Sequence, residues 1–269
     1  YAGLADSYAV LPIFSTVPGK EAYPKAKAAA ETALKLDETQ AEAHATLGWI
    51  KTLFDLDWPG GEREYRRAIA LNPNYPTAHH WYAVHLSWSG RHAEAMAMIK
   101  KAQQLDPLSP IIQNGAGWVY LYARQFDVAL EQQRKALDLD PNFAYAYDGL
   151  GWTYVQKGMF GDAVEAAQKA QTLGHPLGIG ALGYANARAG NRVEAQKRIE
   201  ELKGLQRWSE VACIYAALGD RNQALRWLEK AYEEREWRIQ GIKVDPVFDS
   251  LRSDPRFTDL LRRHFWYPN

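Results

Sequence analysis

The chain has 269 residues, enough for one or two globular domains or for a single repeat array without a second core. Its 32 Lys plus Arg balance its 32 Asp plus Glu, so no net field draws it to nucleic acid or to an anionic membrane, and both partner classes are set aside. The only cysteine, Cys213, excludes an internal disulfide framework and a cysteine-based zinc site.

A single free thiol suits the cytoplasm slightly better but leaves the compartment undecided. No stretch approaches the roughly twenty apolar residues that span a bilayer, and no basic-then-apolar leader precedes Ala2, so direct membrane insertion is not expected. The sequence starts at Tyr1, partway into a helical pattern, and is expected to be a segment of a longer protein.

Self-similarity is the primary signal. Leu71, Leu105, Leu139 and Leu173 are each 34 residues apart, and three of them open the contexts Leu71-Asn72-Pro73, Leu105-Asp106-Pro107 and Leu139-Asp140-Pro141, where proline ends one helix and lets the next begin. Ala68, Ala102, Ala136 and Ala170 keep the same spacing, as do Ala95, Ala129 and Ala163. Small side chains at fixed positions let paired helices approach closely.

In chain order the units fall at about 1–40, 41–75, 76–109, 110–143, 144–175, 176–204 and 205–238. Each reads as two amphipathic helices around a turn, marked by Gly90, Gly158, Gly190 and Gly219. In the first unit Leu11 to Gly19 is expected to lengthen the turn into an apolar loop. In the second, Asp55 to Gly61 replaces the turn, and in the fourth Arg124 stands where glycine is expected, which points to irregular turns. Neither helix of a hairpin can bury its apolar stripe alone, so stacked hairpins are predicted: an all-α, right-handed superhelix of about seven units over residues 1–238. Residues 239–269 are predicted to cap its end, with Asp245-Pro246 and Asp254-Pro255 each starting a short helix.

Small, apolar and Gly-Tyr positions such as Trp81-Tyr82-Ala83, Gly117-Trp118-Val119-Tyr120 and Leu150-Gly151-Trp152-Thr153-Tyr154 resemble tetratricopeptide repeats over nearly the whole chain. The tail, Lys243-Val244-Asp245-Pro246-Val247-Phe248 and Leu251-Arg252-Ser253-Asp254-Pro255-Arg256-Phe257, resembles the end of such regions in bacterial multidomain signalling proteins, where they follow winged-helix, serine/threonine kinase or nucleotide cyclase domains. That resemblance implies a scaffold or regulatory attachment whose partner is a protein or peptide.

It also implies that the first helix of each unit lines a concave face. Trp49, Trp118, Trp152 and Tyr184 occupy equivalent places there, Trp88 and Tyr122 follow one turn later, and His80, Asn114 and Asp148 form a polar row. Rings supply contact area at low entropic cost and polar groups fix direction, so these nine residues are the candidate peptide-binding groove. The competing reading is packing between adjacent first helices.

Arg67, Lys101, Lys135 and Lys169 recur near second-helix ends, where cations complement the helix dipole. His44, His79, His80 and His85 lack a carboxylate or cysteine at ligand spacing, so no metal is expected. No nucleophile elbow, phosphate loop or dinucleotide fingerprint occurs, and neither catalysis nor a cofactor is expected in this segment. Self-association through an end of the array, or through the Leu11 to Gly19 loop, is the alternative function. An enzyme whose catalytic domain lies upstream is a third reading.

Overall fold

The computed structural model describes residues 1–174 and 178–264. Its elements in order are α1 (Ala2–Phe14), α2 (Gly19–Leu36), α3 (Ala41–Ile50), a π-helical turn (Lys51–Asp55), α4 (Trp58–Leu71), α5 (Pro76–Trp88), α6 (His92–Leu105), α7 (Pro110–Tyr122), α8 (Phe126–Leu139), α9 (Ala144–Gln156), α10 (Phe160–Thr172), α11 (Gly178–Arg188), α12 (Arg192–Gly204), α13 (Trp208–Ala217) and α14 (Arg221–Glu233). Two 3₁₀ segments, Trp237–Gly241 and Pro246–Leu251, precede α15 (Pro255–His264). No strand occurs among the described residues, and no helix there is long and apolar enough to cross a membrane.

The fold is a solenoid of helical hairpins. Each odd-numbered helix from α1 to α13 pairs with the helix after it, and successive odd-numbered helices stack side by side. Pro76 and Pro110 open α5 and α7 at a position where a missing N–H costs nothing. The boundary expected between the fifth and sixth units lies at 175–177, outside the described residues.

Most first helices end alike. The residue after the turn carries positive φ, at Gly90, Gly158, Gly190 and Gly219, and the next amide reaches back to close the helix, as Arg91 N–H does to the Leu86 carbonyl. Arg124 takes the same conformation, with φ 62° and the Gln125 N–H bonded to Tyr120, so this turn is regular despite its side chain. The second turn is irregular as expected: a π turn runs into Leu56 at φ 58°, and Asp57 caps α4 by accepting from Gly60 N–H. The first is not the long loop the sequence suggests. Pro12 sits in the last turn of α1, where its ring removes one backbone bond without ending the helix, and only residues 15–18 link α1 to α2.

Two features position the interior. First, the array closes on itself: Arg207 at the start of α13 donates to the Ser15 carbonyl at 2.7 Å and to the Pro12 carbonyl at 3.3 Å, and Lys20 pairs with Glu234 at 2.9 Å. The first hairpin therefore meets the seventh. Second, the groove is filled. Outer helix α6 buries only Ala95, Ile99 and Ala102, whereas α7 is buried at every residue from Ile112 to Tyr122. A helix covered all round is enclosed on both sides, and on the concave side the cover is the chain's own segment 237–251. The capping expected of the tail thus divides: α15 packs on α14 at the end of the array, while 237–251 turns inward.

Candidate functional site

The concave face is built from the rings of the first helices. Trp49 stacks on Trp81 with centroids 5.2 Å apart and lies 5.8 Å from Trp88; Trp118 lies 5.9 Å from Tyr122 and 6.2 Å from Tyr145; Trp152 lies 5.8 Å from Tyr184. All six predicted aromatic residues are buried. They pack on one another, and several also meet the inward-turned segment.

The polar row faces sideways. A Cβ built on Gly115 would come within 2.2 Å of His80 Nε2, and one on Gly149 within 2.9 Å of Asn114 Oδ1. Each glycine opens a notch in one helix for the polar side chain of the preceding first helix. His80 is buried, and burial pushes its pKa down to about 4, so it is neutral. Asp148 is equally enclosed, and desolvation lifts its carboxyl to about 7 against the opposing pull of Arg238.

Residues outside the nine predicted groove positions complete the site. The Arg238 guanidinium lies 4.2 Å from the Trp152 centroid and 5.6 Å from that of Trp118, and donates to Asp245 at 3.2 Å. Gln240 Nε2 donates to the Leu53 carbonyl, and Lys243 Nζ to that of Ser89. At Gly241 the backbone comes so near α5 that a Cβ would lie 3.1 Å from the Trp88 ring. Asp245 accepts from Val247 N–H, and Arg124 grips Asp249 through two bonds of 2.7 Å. Ile239, Ile242, Val247, Phe248 and Leu251 are buried among the rings.

Two arginines and four carboxyls share this interior. Arg238 faces Asp245, while Glu236 accepts from the Ser209 N–H and hydroxyl near Arg207. Burial raises all four carboxyls, Asp148 to about 7 and Glu210 to about 8, with Glu236 adding to the rise at Glu210. Protons on Asp148 and Glu210 leave two cations facing two anions, the arrangement that a dry interior favours. The one signal available beforehand was composition: Trp237 to Leu251 is apolar without a helical period, too apolar to lie in solvent. Among the described residues no group of three or more His, Cys, Asp or Glu is placed to hold a metal ion.

The tetratricopeptide repeat profile matches residues 112–143, 144–173 and 205–236, which hold the fourth, fifth and seventh hairpins. These three segments are tetratricopeptide repeats. The other hairpins share their architecture, and similar folds occur among solved structures. An IFIT1 monomeric mutant with Gppp-AAAA is 19% identical over 90% of this chain and 60% of its own, with a TM-score of 0.64. PilW, a type IV pilus biogenesis factor, is 21% identical over 90% of this chain and 96% of its own, at 0.55. PilF of Pseudomonas aeruginosa is 17% identical over 77% and 96%, at 0.53. At these identities the likeness is one of fold. No curated protein matches the chain.

Proposed function

We propose that this tetratricopeptide array is an interaction scaffold for polypeptide, the accessory region of a bacterial signalling protein, with no catalytic role of its own. The observation that supports this reading is the occupancy of the concave face. Segment 237–251 is held there by a guanidinium over two indoles, a side-chain bond to a main-chain carbonyl and enclosed aliphatic groups. Such contacts are those by which a groove recognises a partner, and here they are made within one chain. The tail motif supports attachment to a signalling domain. One of the similar folds belongs to a type IV pilus biogenesis factor, and its identity to this chain supports a shared scaffold alone.

The test is selection of a random peptide library on the intact, folded array. Enrichment of peptides with a common pattern is the expected result. Failure to enrich any peptide, with the helical signal intact, counts against the reading.

One observation favours a second role. The seam between the first and seventh hairpins is held by polar contacts, Arg207 to Ser15 and Lys20 to Glu234, so the first hairpin of one copy could meet the seventh of another. Sedimentation velocity at rising concentration decides. A dimer lost in Lys20→Glu and restored by adding Glu234→Lys supports self-association, and a monomer throughout removes it.

A further inference from the structure

Segment 237–251 does not fill the concave face completely. A cavity of about 80 Å³ remains between Trp237 and the tip of α1. Its floor is buried, formed by Trp49, Trp88, Trp118 and Trp237. Its rim is partly exposed: Val10, Val84, Ile111 and Tyr145 are half-buried, and Phe14 is 41% exposed with its ring edge-on to Tyr145 at 5.5 Å. Among the described residues no Asp, Glu, Lys or Arg lines it. A charged group placed there would lose its hydration without gaining a counter-charge.

Size and polarity narrow the occupant. A dry apolar cavity of about 150 Å³ holds benzene, so this one has room for about three to five non-hydrogen atoms, the size of a leucine, isoleucine or methionine side chain. An uncharged aliphatic side chain of that size meets both the volume and the apolar lining.

We infer that this cavity is an anchor pocket for one leucine, isoleucine or methionine side chain of a partner polypeptide, which passes Phe14 and Val84 to rest on the tryptophan floor. The proposal rests on the scaffold reading and narrows it. The partner would extend the line of polypeptide that 237–251 already lays along the concave face, since Trp237 ends that segment and forms one wall of the pocket. Partner choice then turns on one uncharged aliphatic residue, and acidic or basic residues at that place are rejected.

The experiment uses the intact chain and a displayed library of random peptides. Enriched peptides are measured on the parent, on Val84→Phe, which fills the pocket, and on Phe14→Asp, which charges its rim. The expected consensus contains one Leu, Ile or Met, and changing that residue to Ala, or using either variant, weakens binding at least about tenfold. Phe14 is exposed, so Phe14→Asp decides the matter alone should Val84→Phe unfold. Peptides that bind all three proteins equally overturn the pocket while leaving the scaffold reading in place. No enriched peptide on any of them overturns both. Binding of butanone that shifts the tryptophan indole resonances of the parent but not of Val84→Phe, with no peptide bound, also overturns the proposal and makes the cavity a small-molecule site.

Discussion

The guanidinium of Arg238 lies 4.2 Å from the centroid of the Trp152 ring, and both residues are buried. A cation so enclosed has lost its hydration, which the two indole faces and Asp245 only partly replace. Removing Arg238 alone leaves Asp245 without its partner. Arg238→Ala is therefore expected to lower stability by about 3–5 kcal/mol. Arg238→Met with Asp245→Asn should recover most of that loss, because the amide oxygen can still accept from Val247 N–H and the thioether fills the space between the rings. Chemical denaturation of the two variants checks the pairing. A loss below about 1 kcal/mol for Arg238→Ala would mean that the aliphatic residues hold the segment without it.

Closure of the array depends on a few polar contacts at one seam. Arg207 donates to two carbonyls at the end of α1, and its loss leaves both without those bonds in a largely buried place. Arg207→Ala should cost about 1–3 kcal/mol and should act locally. Amide exchange is expected to speed in α1 and α2 and to stay unchanged in the outer helix α8, which packs on α7 and α9. Uniform acceleration along the chain would show instead that closure is part of global folding.

Much of the solenoid is readable in the sequence because a repeat is a local object. The 34-residue spacing of Leu71, Leu105 and Leu139, with proline two residues on, places α4 to α9 without reference to distant contacts. The aromatic residues of the concave face were legible for the same reason. Closure was not, because the meeting of Ser15 with Arg207 depends on small rotations summed over every hairpin between them, and no local pattern carries that sum. The path of 237–251 was hidden differently. Ile239, Ile242, Val244 and Val247 follow no helical or strand period, so their burial is fixed by the shape of the groove that receives them. The polar row shows a third limit: spacing put His80 and Asn114 on the first helices, but only the notches at Gly115 and Gly149 turn them toward the next helix.

Those notches give a direct test of packing. At Gly115 an added methyl group would come within 2.2 Å of Nε2 of the buried His80 ring. Gly115→Ala is expected to destabilise by about 1–3 kcal/mol despite the better helix propensity of alanine. Gly161, at the exposed start of α10, has nothing within 4 Å of the corresponding position. Gly161→Ala should be neutral or stabilising by up to about 1 kcal/mol. Thermal unfolding of the two variants side by side separates notch from propensity, and equal shifts would mean that the His80 ring moves aside.

The buried carboxyls give the chain a pH dependence of definite sign. Asp148 and Glu210, raised by burial to about 7 and about 8, hold protons that the unfolded chain releases, so stability falls as pH rises toward those values. His80 and His85 act oppositely. Burial lowers them to about 4, the unfolded chain binds the extra protons, and their contribution grows between pH 4 and about 6.5. The two effects offset each other below about pH 6.5, and above it only the carboxyls still titrate. Stability is therefore expected to decline from about pH 6.5 to about pH 8 and then to level. Glu210→Gln removes one of the responsible groups and relieves its neighbour Glu236, so it should flatten the decline and gain about 1–2 kcal/mol at pH 8 with little change at pH 5. Unfolding curves of parent and variant at those two pH values measure the difference. An undiminished decline in the variant would assign it to Asp148, which Asp148→Asn then tests in the same way.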